Sequence, residues 1–377
     1  MGSSRKIKVG VLTSSRADYG IYQPLLRKLS CEFFFDTEVI AFGTHLMDRF
    51  GHTVDFIYGD GFRVTEVPGT MRNGDLPVDI AHSMASTLSA FSDFFKRKHY
   101  KLLFALGDRY EMFSAVAAAA PFNIPVAHIH GGETTLGAID NYFRHSITCF
   151  SKFHFTSHEV YRNRVTEIIG RSDNVYNVGA LSIDNLKQLE LLEITEIKEK
   201  YNIDFKKPTV LFTFHPETVD YKRNKTYIGE ILNALKKLDG YQILVTMPNA
   251  DTMGALIRKE LIKAKAGQPN IITVETFGTL GYLSAMKHCS FMLGNTSSGF
   301  VEASYFSKPV INLGHRQKGR IITPNIFTVP IKTDAIVQAI KKIESSDPVK
   351  VDSIYGTGNA ATGIIQILKR EFDLNHG

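Results

Sequence analysis

Short apolar runs alternate with stretches of helical periodicity from one end of the chain to the other, the pattern expected of parallel α/β layers. In the first half, strands are expected near 6–13 (KIKVGVLT), 36–42, 101–106 (KLLFAL), 124–130, 152–156 and 174–178. Between them, apolar positions recur at helical spacing near 20–30, 80–97, 110–120, 141–149 and 158–169. The second half repeats the alternation without repeating the sequence. Strands are expected near 208–214 (PTVLFTF), 241–246, 270–274, 290–293 and 309–313, with helices near 222–237, 253–264, 279–287, 299–306 and 332–344.

Two α/β halves in succession predict two doubly wound domains facing across a cleft, residues 5–180 and 181–356, joined through a charged helical segment near 179–205. A last helix, 357–372, follows Gly356-Thr357-Gly358 and is expected to return to the first domain. In such sheets ligands bind beyond the carboxyl ends of the strands, so those ends are where chemistry belongs.

A chain of 377 residues exceeds what one hydrophobic core ordinarily supports, in keeping with two domains. Its composition, 44% hydrophobic and 22% charged, is that of a soluble globular protein. The net charge of +6 suits a pocket for an anionic ligand, and no cluster of Lys and Arg interleaved with aromatics argues for nucleic acid. Lys96-Arg97-Lys98 ends an expected helix, where cations complement the dipole. Three cysteines, Cys31, Cys149 and Cys289, stand far apart, so neither a disulfide framework nor a zinc site is expected, and a cytoplasmic setting fits. No apolar run reaches the roughly 18 residues of a membrane span, and no secretory leader is expected. Met1-Gly2-Ser3-Ser4 is left out of the fold reasoning.

Ionisable groups concentrate at the strand ends of the first half. Leu106 runs into Gly107-Asp108-Arg109, where Asp108 alone reads as a helix N-cap. The neighbouring strand, however, delivers His130, Glu133 and Asp140 in AHIHGGETTLGAID, and consecutive parallel strands bring both loops to one edge. Arg144 and His145 open the next helix and are placed to orient or screen those carboxylates. The hydroxyl-rich turn Ser14-Ser15-Arg16 suits an anion, although it lacks a dinucleotide fingerprint, and His45 ends the second strand.

The second half carries other tools. Gly294-Asn295-Thr296-Ser297-Ser298-Gly299 followed by a helix with Glu302 has the makings of a phosphate cradle with a ribose acceptor. His215 and Asn249 follow two strands, and Arg316, Gln317, Lys318 and Arg320 form a cationic loop matched to a diphosphate. Acid–base groups in one domain and a phosphate–ribose site in the other support a nucleotide-sugar enzyme. They do not select its reaction.

Taken together and in order, Ser15-Arg16-Ala17-Asp18-Tyr19-Gly20, Gly43-Thr44-His45, Gly107-Asp108-Arg109, Gly131-Gly132-Glu133 and Gly137-Ala138-Ile139-Asp140 resemble the UDP-N-acetylglucosamine 2-epimerases, specifically their hydrolysing branch. The resemblance continues through Arg144-His145-Ser146, His215-Pro216, the Gly294–Gly299 stretch, Arg316-Gln317 and Gly319-Arg320. It implies a GT-B-like pair of Rossmann-type domains, a homodimer or homotetramer, and chemistry that uses no metal and no nicotinamide. It also implies a route: the C2 proton is removed, UDP departs from C1, and water adds to the resulting glycal to release a free manno-configured sugar. By position, Asp108 and Asp140 match acid–base residues and His215 a histidine near the leaving group, while Arg16, Ser297, Ser298, Glu302 and Arg316 match UDP contacts.

One departure stands out. Several members read HIEGGE where this chain reads His128-Ile129-His130-Gly131-Gly132-Glu133. Imidazole, with an ordinary pKa near 6.5, serves as a general base without the upward tuning a carboxylate requires. The histidine form resembles the branch acting on UDP-N,N'-diacetylbacillosamine, which makes that sugar the favoured substrate over UDP-N-acetylglucosamine and legionaminic or sialic acid synthesis the setting. The competing classes are a non-hydrolysing 2-epimerase, a GT-B glycosyltransferase, for which the acid-rich first domain is excessive, and a non-catalytic nucleotide-sugar sensor.

Overall fold

The computed structural model describes residues 6–248, 251–275, 277–347 and 349–373. Among the described residues the chain forms two compact units. The first comprises residues up to Glu133, Asp140–Gln188 and the chain from Tyr355 onward; the second comprises Thr134–Ile139 and Leu189–Ile354.

The first unit holds a parallel sheet of β1 (Ile7–Thr13), β2 (Phe35–Ala41), β3 (Val64–Glu66), β4 (Leu102–Leu106), β5 (Val126–Ile129), β6 (Phe153–Thr156) and β7 (Val175–Asn177) in the order β3-β2-β1-β4-β5-β6-β7. Helices cover both faces, which is why β4 and β5 are buried along their whole length and read as unbroken apolar runs. On one face Leu25, Leu26 and Leu29 share a cluster with Ile364, Ile365 and Leu368 of the C-terminal helix Ala360–Asp373. On the other, Phe91, Phe94 and Phe95 of the helix Pro77–Arg97 pack with Leu103, Ala105 and Met112.

The C-terminal helix is tied in by a carboxylate. Asp184, buried in the helix Leu181–Gln188, accepts from the amides of Ala360 at 3.0 Å and Ala361 at 2.8 Å. These are first-turn donors that the helix itself leaves unpaired. On the same helix, Asn185 donates to the Gly20 carbonyl at 2.7 Å, so Leu181–Gln188 is fastened to both ends of the chain's first unit.

The second unit repeats the plan with β8 (Thr209–Thr213), β9 (Gln242–Thr246), β10 (Ile271–Val274), β11 (Phe291–Gly294), β12 (Val310–Leu313) and β13 (Ile326–Val329), all parallel, in the order β10-β9-β8-β11-β12-β13. Both orders reverse direction at one place: between β1 and β4, and between β8 and β11. A crevice opens where neighbouring crossovers run to opposite faces, so these two switch points are where ligands are expected. No helix among the described residues is long and apolar enough to cross a membrane.

The expected helix over 299–306 is broken in two. A single 3-10 turn, Ser297–Gly299, is followed by a four-residue helix, Glu302–Tyr305. Phe300 and Val301 lie between them, and Ser304 Oγ donates to the Val301 carbonyl at 2.7 Å.

Two outcomes test this architecture. Asp184→Ala removes the acceptor for both amides and is expected to lower the unfolding free energy by about 1–2 kcal/mol, measured by urea denaturation. His154, on β6 in register with His128 of β5, is fully buried, and burial pushes its pKa down to about 4. Its folded pKa lies below the unfolded value near 6.5, so the stability it allows is intact above that pH and falls as pH drops towards about 4. His154→Leu should therefore flatten the acid limb of a melting-temperature profile; an unchanged slope between pH 6.5 and 4 would contradict the account.

Candidate active site

The carboxyl end of the first sheet gathers its charges around one guanidinium. Arg144 projects from the helix Asp140–Phe150 and is only 3% exposed. Its Nη2 is ion-paired with Asp108, which follows β4. Its Nη1 donates to the His130 carbonyl at 2.8 Å and reaches Glu133 Oε2 at 3.4 Å, both following β5. Asp108 is thus not the helix cap that its position suggests. Arg109 stands at the cap of Tyr110–Ala119, with no side-chain capping bond, and the carboxylate of Asp108 is turned to Arg144.

Glu133, 2% exposed, is surrounded by donors. Ser157 Oγ, after β6, donates to Oε1 at 2.8 Å, and His130 Nδ1 lies 3.5 Å from the same oxygen. The loop that makes this possible is tightly constrained. His130 has φ +64°, a left-handed conformation that few side chains adopt, and Gly132 follows at +78° with Tyr161's carbonyl where a Cβ would stand. Asp140 opens the helix carrying Arg144, four residues ahead and so on the same face. His145, half-buried on that helix, has its pKa lowered by burial and by Arg164 and Arg144.

Beside this cluster, Arg109 Nε donates to Glu111 at 2.6 Å. Glu111 is fully buried, and burial raises its carboxyl against the lowering effect of Arg109.

Two expectations for the first unit are corrected. The turn Ser14-Ser15 is not an open anion cradle, because Asp18 takes its donors: the Ser14 amide at 2.7 Å, Ser14 Oγ at 3.1 Å and Ser15 Oγ. His45 is not a ligand contact. It is 0% exposed, with Nε2 against Thr13 Oγ1 at 2.9 Å and Nδ1 against Thr53 Oγ1 at 2.8 Å. Burial lowers its pKa, with Asp18 opposing. Arg16, at the start of the helix Arg16–Cys31, is half-buried.

The second unit's switch point is organised by an amide instead of a charge. Asn295, fully buried after β11, grips the backbone of His215 after β8: it accepts from His215 N and donates to His215 O, each at 2.7 Å. Gln317 Nε2 donates to the Asn295 carbonyl at 2.8 Å while its Oε1 accepts from Arg320 Nε at 2.6 Å. Arg316 reaches Pro216 O at 2.5 Å and Asp251 at 3.0 Å, and the His315 amide donates to Glu217 at 2.6 Å. The expected cationic loop is therefore wired to the strand ends by its own side chains. Thr134–Ile139 is docked here too, through Leu136 N to Lys318 O at 3.0 Å and Ile139 N to Thr218 Oγ1 at 2.9 Å.

Around Ser297-Ser298-Gly299, Thr296 Oγ1 accepts from Ser298 N at 3.4 Å, and Tyr282 OH lies 2.6 Å from Ser298 Oγ. With no long helix behind this turn, any phosphate held here meets local amides and hydroxyls rather than a macrodipole. Glu302 starts the short helix beyond. Asn249 lies outside the described residues. Tyr282 carries part of the local geometry yet was absent from the candidates, and Asn295, named only as a member of the expected phosphate cradle, holds the strand ends instead. Asn295's signal was its place in the strand-end stretch Gly294–Gly299, whereas nothing in the sequence distinguishes Tyr282 from a core aromatic.

Known proteins agree with this arrangement. A profile of the UDP-N-acetylglucosamine 2-epimerase family matches residues 27–369. The chain is 33% identical over 367 residues to polysialic acid biosynthesis protein P7 of Escherichia coli, covering 96% of this chain and 93% of that protein. It is 35% identical over 346 residues to GDP/UDP-N,N'-diacetylbacillosamine 2-epimerase (hydrolyzing) of Campylobacter jejuni, covering 91% and 88%. Among solved structures, UDP-GlcNAc 2-epimerase from Neisseria meningitidis bound to UDP-GlcNAc superposes with a TM-score of 0.80 at 18% identity, over 97% of this chain and all of that one, and shares its GT-B-like fold of two Rossmann-like domains. A match along most of the sequence, on the fold and strand-end chemistry described above, makes this chain a member of the UDP-N-acetylglucosamine 2-epimerase family.

Proposed function

We propose that the protein is a hydrolysing UDP-sugar 2-epimerase, acting on UDP-N,N'-diacetylbacillosamine in preference to UDP-N-acetylglucosamine, in the cytoplasm, as a homodimer or homotetramer. Its product is the free manno-configured 2-acetamido sugar, destined for nonulosonic acid synthesis of the sialic or legionaminic type. The observation carrying this reading is the cluster of Asp108, His130 and Glu133 about Arg144, proton-handling groups at one switch point. The Campylobacter relative's name supports the hydrolysing outcome and the substrate.

The reaction divides into two balanced steps. In the first, a base takes the C2 proton while the C1–O bond breaks, and UDP departs with that electron pair to leave a C1=C2 double bond. In the second, water gives hydroxide to C1 and a proton returns to C2 from the opposite face. His130 takes a proton at C2 or in the hydration step, oriented through Nδ1 by Glu133 at 3.5 Å. Asp108 and Asp140 supply the remaining acid–base function. Arg144 keeps the Asp108 carboxylate in place, and Glu133, closed in by Arg144 and Ser157, orients rather than reacts. On this reading Arg16, Ser297, Ser298, Glu302 and Arg316 are UDP contacts, Arg109, Arg144, His145, Asn249, Gly299, Gln317 and Arg320 are contacts to the sugar or to UDP, and His215 lies beside the departing diphosphate.

The decisive assay uses D₂O and offers each sugar nucleotide in turn, with products examined by NMR. Free manno sugar carrying deuterium at C2, with UDP released, is expected, and faster from UDP-N,N'-diacetylbacillosamine. A UDP-linked manno product would instead indicate the non-hydrolysing reaction, and turnover of neither sugar would refute the reading. His130→Asn keeps a residue that tolerates the left-handed backbone. It should lower kcat about 10²–10⁴-fold with UDP affinity nearly unchanged, as read by calorimetry.

A further inference from the structure

One fully buried ionisable side chain in the first unit has no part in that mechanism, yet it touches two of the segments that build the site. His128 lies on β5, between Ala127 and Ile129. Its Nε2 is 2.8 Å from the Gly107 carbonyl oxygen and its Nδ1 is 3.1 Å from Thr148 Oγ1. A carbonyl oxygen only accepts, so Nε2 carries the proton and Nδ1 is the acceptor for the Thr148 hydroxyl. The same hydroxyl is also placed to donate to the Arg144 carbonyl at 3.1 Å, so its single proton is shared between that oxygen and Nδ1. Burial pushes the His128 pKa down to about 3, which leaves the ring neutral and its tautomer fixed at ordinary pH.

The location explains the residue. Gly107 N donates to the Ile129 carbonyl at 3.0 Å, the last rung between β4 and β5. With φ +77° the chain then swings away, and the Gly107 carbonyl leaves the ladder inside the protein. Buried carbonyls need donors, and His128 provides one. The peptide plane holding that oxygen also holds the amide nitrogen of Asp108, so anchoring one anchors the root of the other. On its other side the ring reaches Thr148, four residues beyond Arg144 on the same helix face. An aliphatic residue would fill the space but make neither bond.

We propose that His128 is a positioning residue, which through Gly107 and Thr148 sets Asp108 and Arg144 in their mutual orientation. The claim rests on Asp108 acting in catalysis as proposed above. A misplaced catalytic group lowers the rate more than it lowers affinity. His128→Leu is therefore expected to reduce kcat about 10–100-fold, with KM and calorimetric affinity for UDP held within about 3-fold. His128→Gln, whose amide nitrogen reaches the place of Nε2, should recover kcat to within about 3-fold of the parent. His128→Asn, which reaches only the place of Nδ1, should not. Thr148→Val should give a smaller fall and add little to His128→Leu, since both break one chain of contacts.

Undiminished kcat in His128→Leu, or Gln no better than Asn, would overturn the proposal. If the leucine variant does not fold, the comparison of Gln with Asn still decides it. A second measurement is independent of turnover. In protein labelled with ¹⁵N-histidine, the resonances lost in His128→Gln should show the neutral Nε2–H tautomer at pH 7. An Nδ1–H tautomer would overturn the proposal whatever sugar is turned over. Failure of the parent enzyme to release UDP from either sugar would refute the catalytic reading instead, so the two failures are distinguishable.

Discussion

The burial of one arginine governs the first unit's strand ends. A guanidinium cannot shed its proton in a protein, so one held at 3% exposure must be surrounded by acceptors or the fold pays its full desolvation cost. Arg144 meets that demand with Asp108, Glu133 and the His130 carbonyl, drawn from the ends of two adjacent strands. The geometry of those loops follows. His130 accepts a left-handed backbone, and only glycine fits at 132, because the chain must present a carbonyl and a carboxylate to the same cation within four residues. A sharp turn that would be strained in isolation is held by the ion it serves.

The second unit solves a comparable problem without charge. Asn295 pairs with both backbone groups of His215, and Gln317 holds Asn295 in turn, so two strand ends are locked by neutral amides. Neutral anchors add no charge of their own to a strand end beside which Arg316 and Arg320 are held. Arg316 is also paired with Asp251. The contrast is chemical. One switch point keeps charges of both signs at close quarters, suited to moving protons, while the other presents amides, hydroxyls and cations, suited to holding a diphosphate.

Much of this was legible in the sequence because both sheets are parallel and covered on two faces. Interior strands such as Leu102–Leu106 and Thr209–Thr213 are buried at every position and cannot be mistaken for loops. The edge strands Val64–Glu66 and Ile326–Val329 went unseen because both are short: the first is nowhere buried, and the second, though apolar at three of its four positions, is too brief to stand out. Site residues followed a similar division. The placement of Asp108, His130 and Glu133 on one edge follows from strand order alone. What side chains do there depends on partners far off in sequence: Thr13 and Thr53 close His45 away, and Asp18 occupies the Ser14-Ser15 turn, though nothing in the local sequence announces either. Asn295 reads as an ordinary turn residue until its neighbour across the sheet is known.

The charge balance about Arg144 gives a physical reason for histidine at position 130. Asp108 and Glu133 both pair with the one guanidinium of Arg144. A glutamate at 130 would bring a third carboxyl to this cluster. Such a carboxyl would be driven towards its neutral form, and its basicity raised, by the two already present. An imidazole reaches comparable basicity by its own chemistry, and on taking a proton it cancels the excess charge rather than deepening it. On the proposed reading, Glu133, 3.5 Å from Nδ1, is the group that aims the ring. The histidine and the buried carboxylate are therefore a matched pair, and a change at either position alters what the other is for.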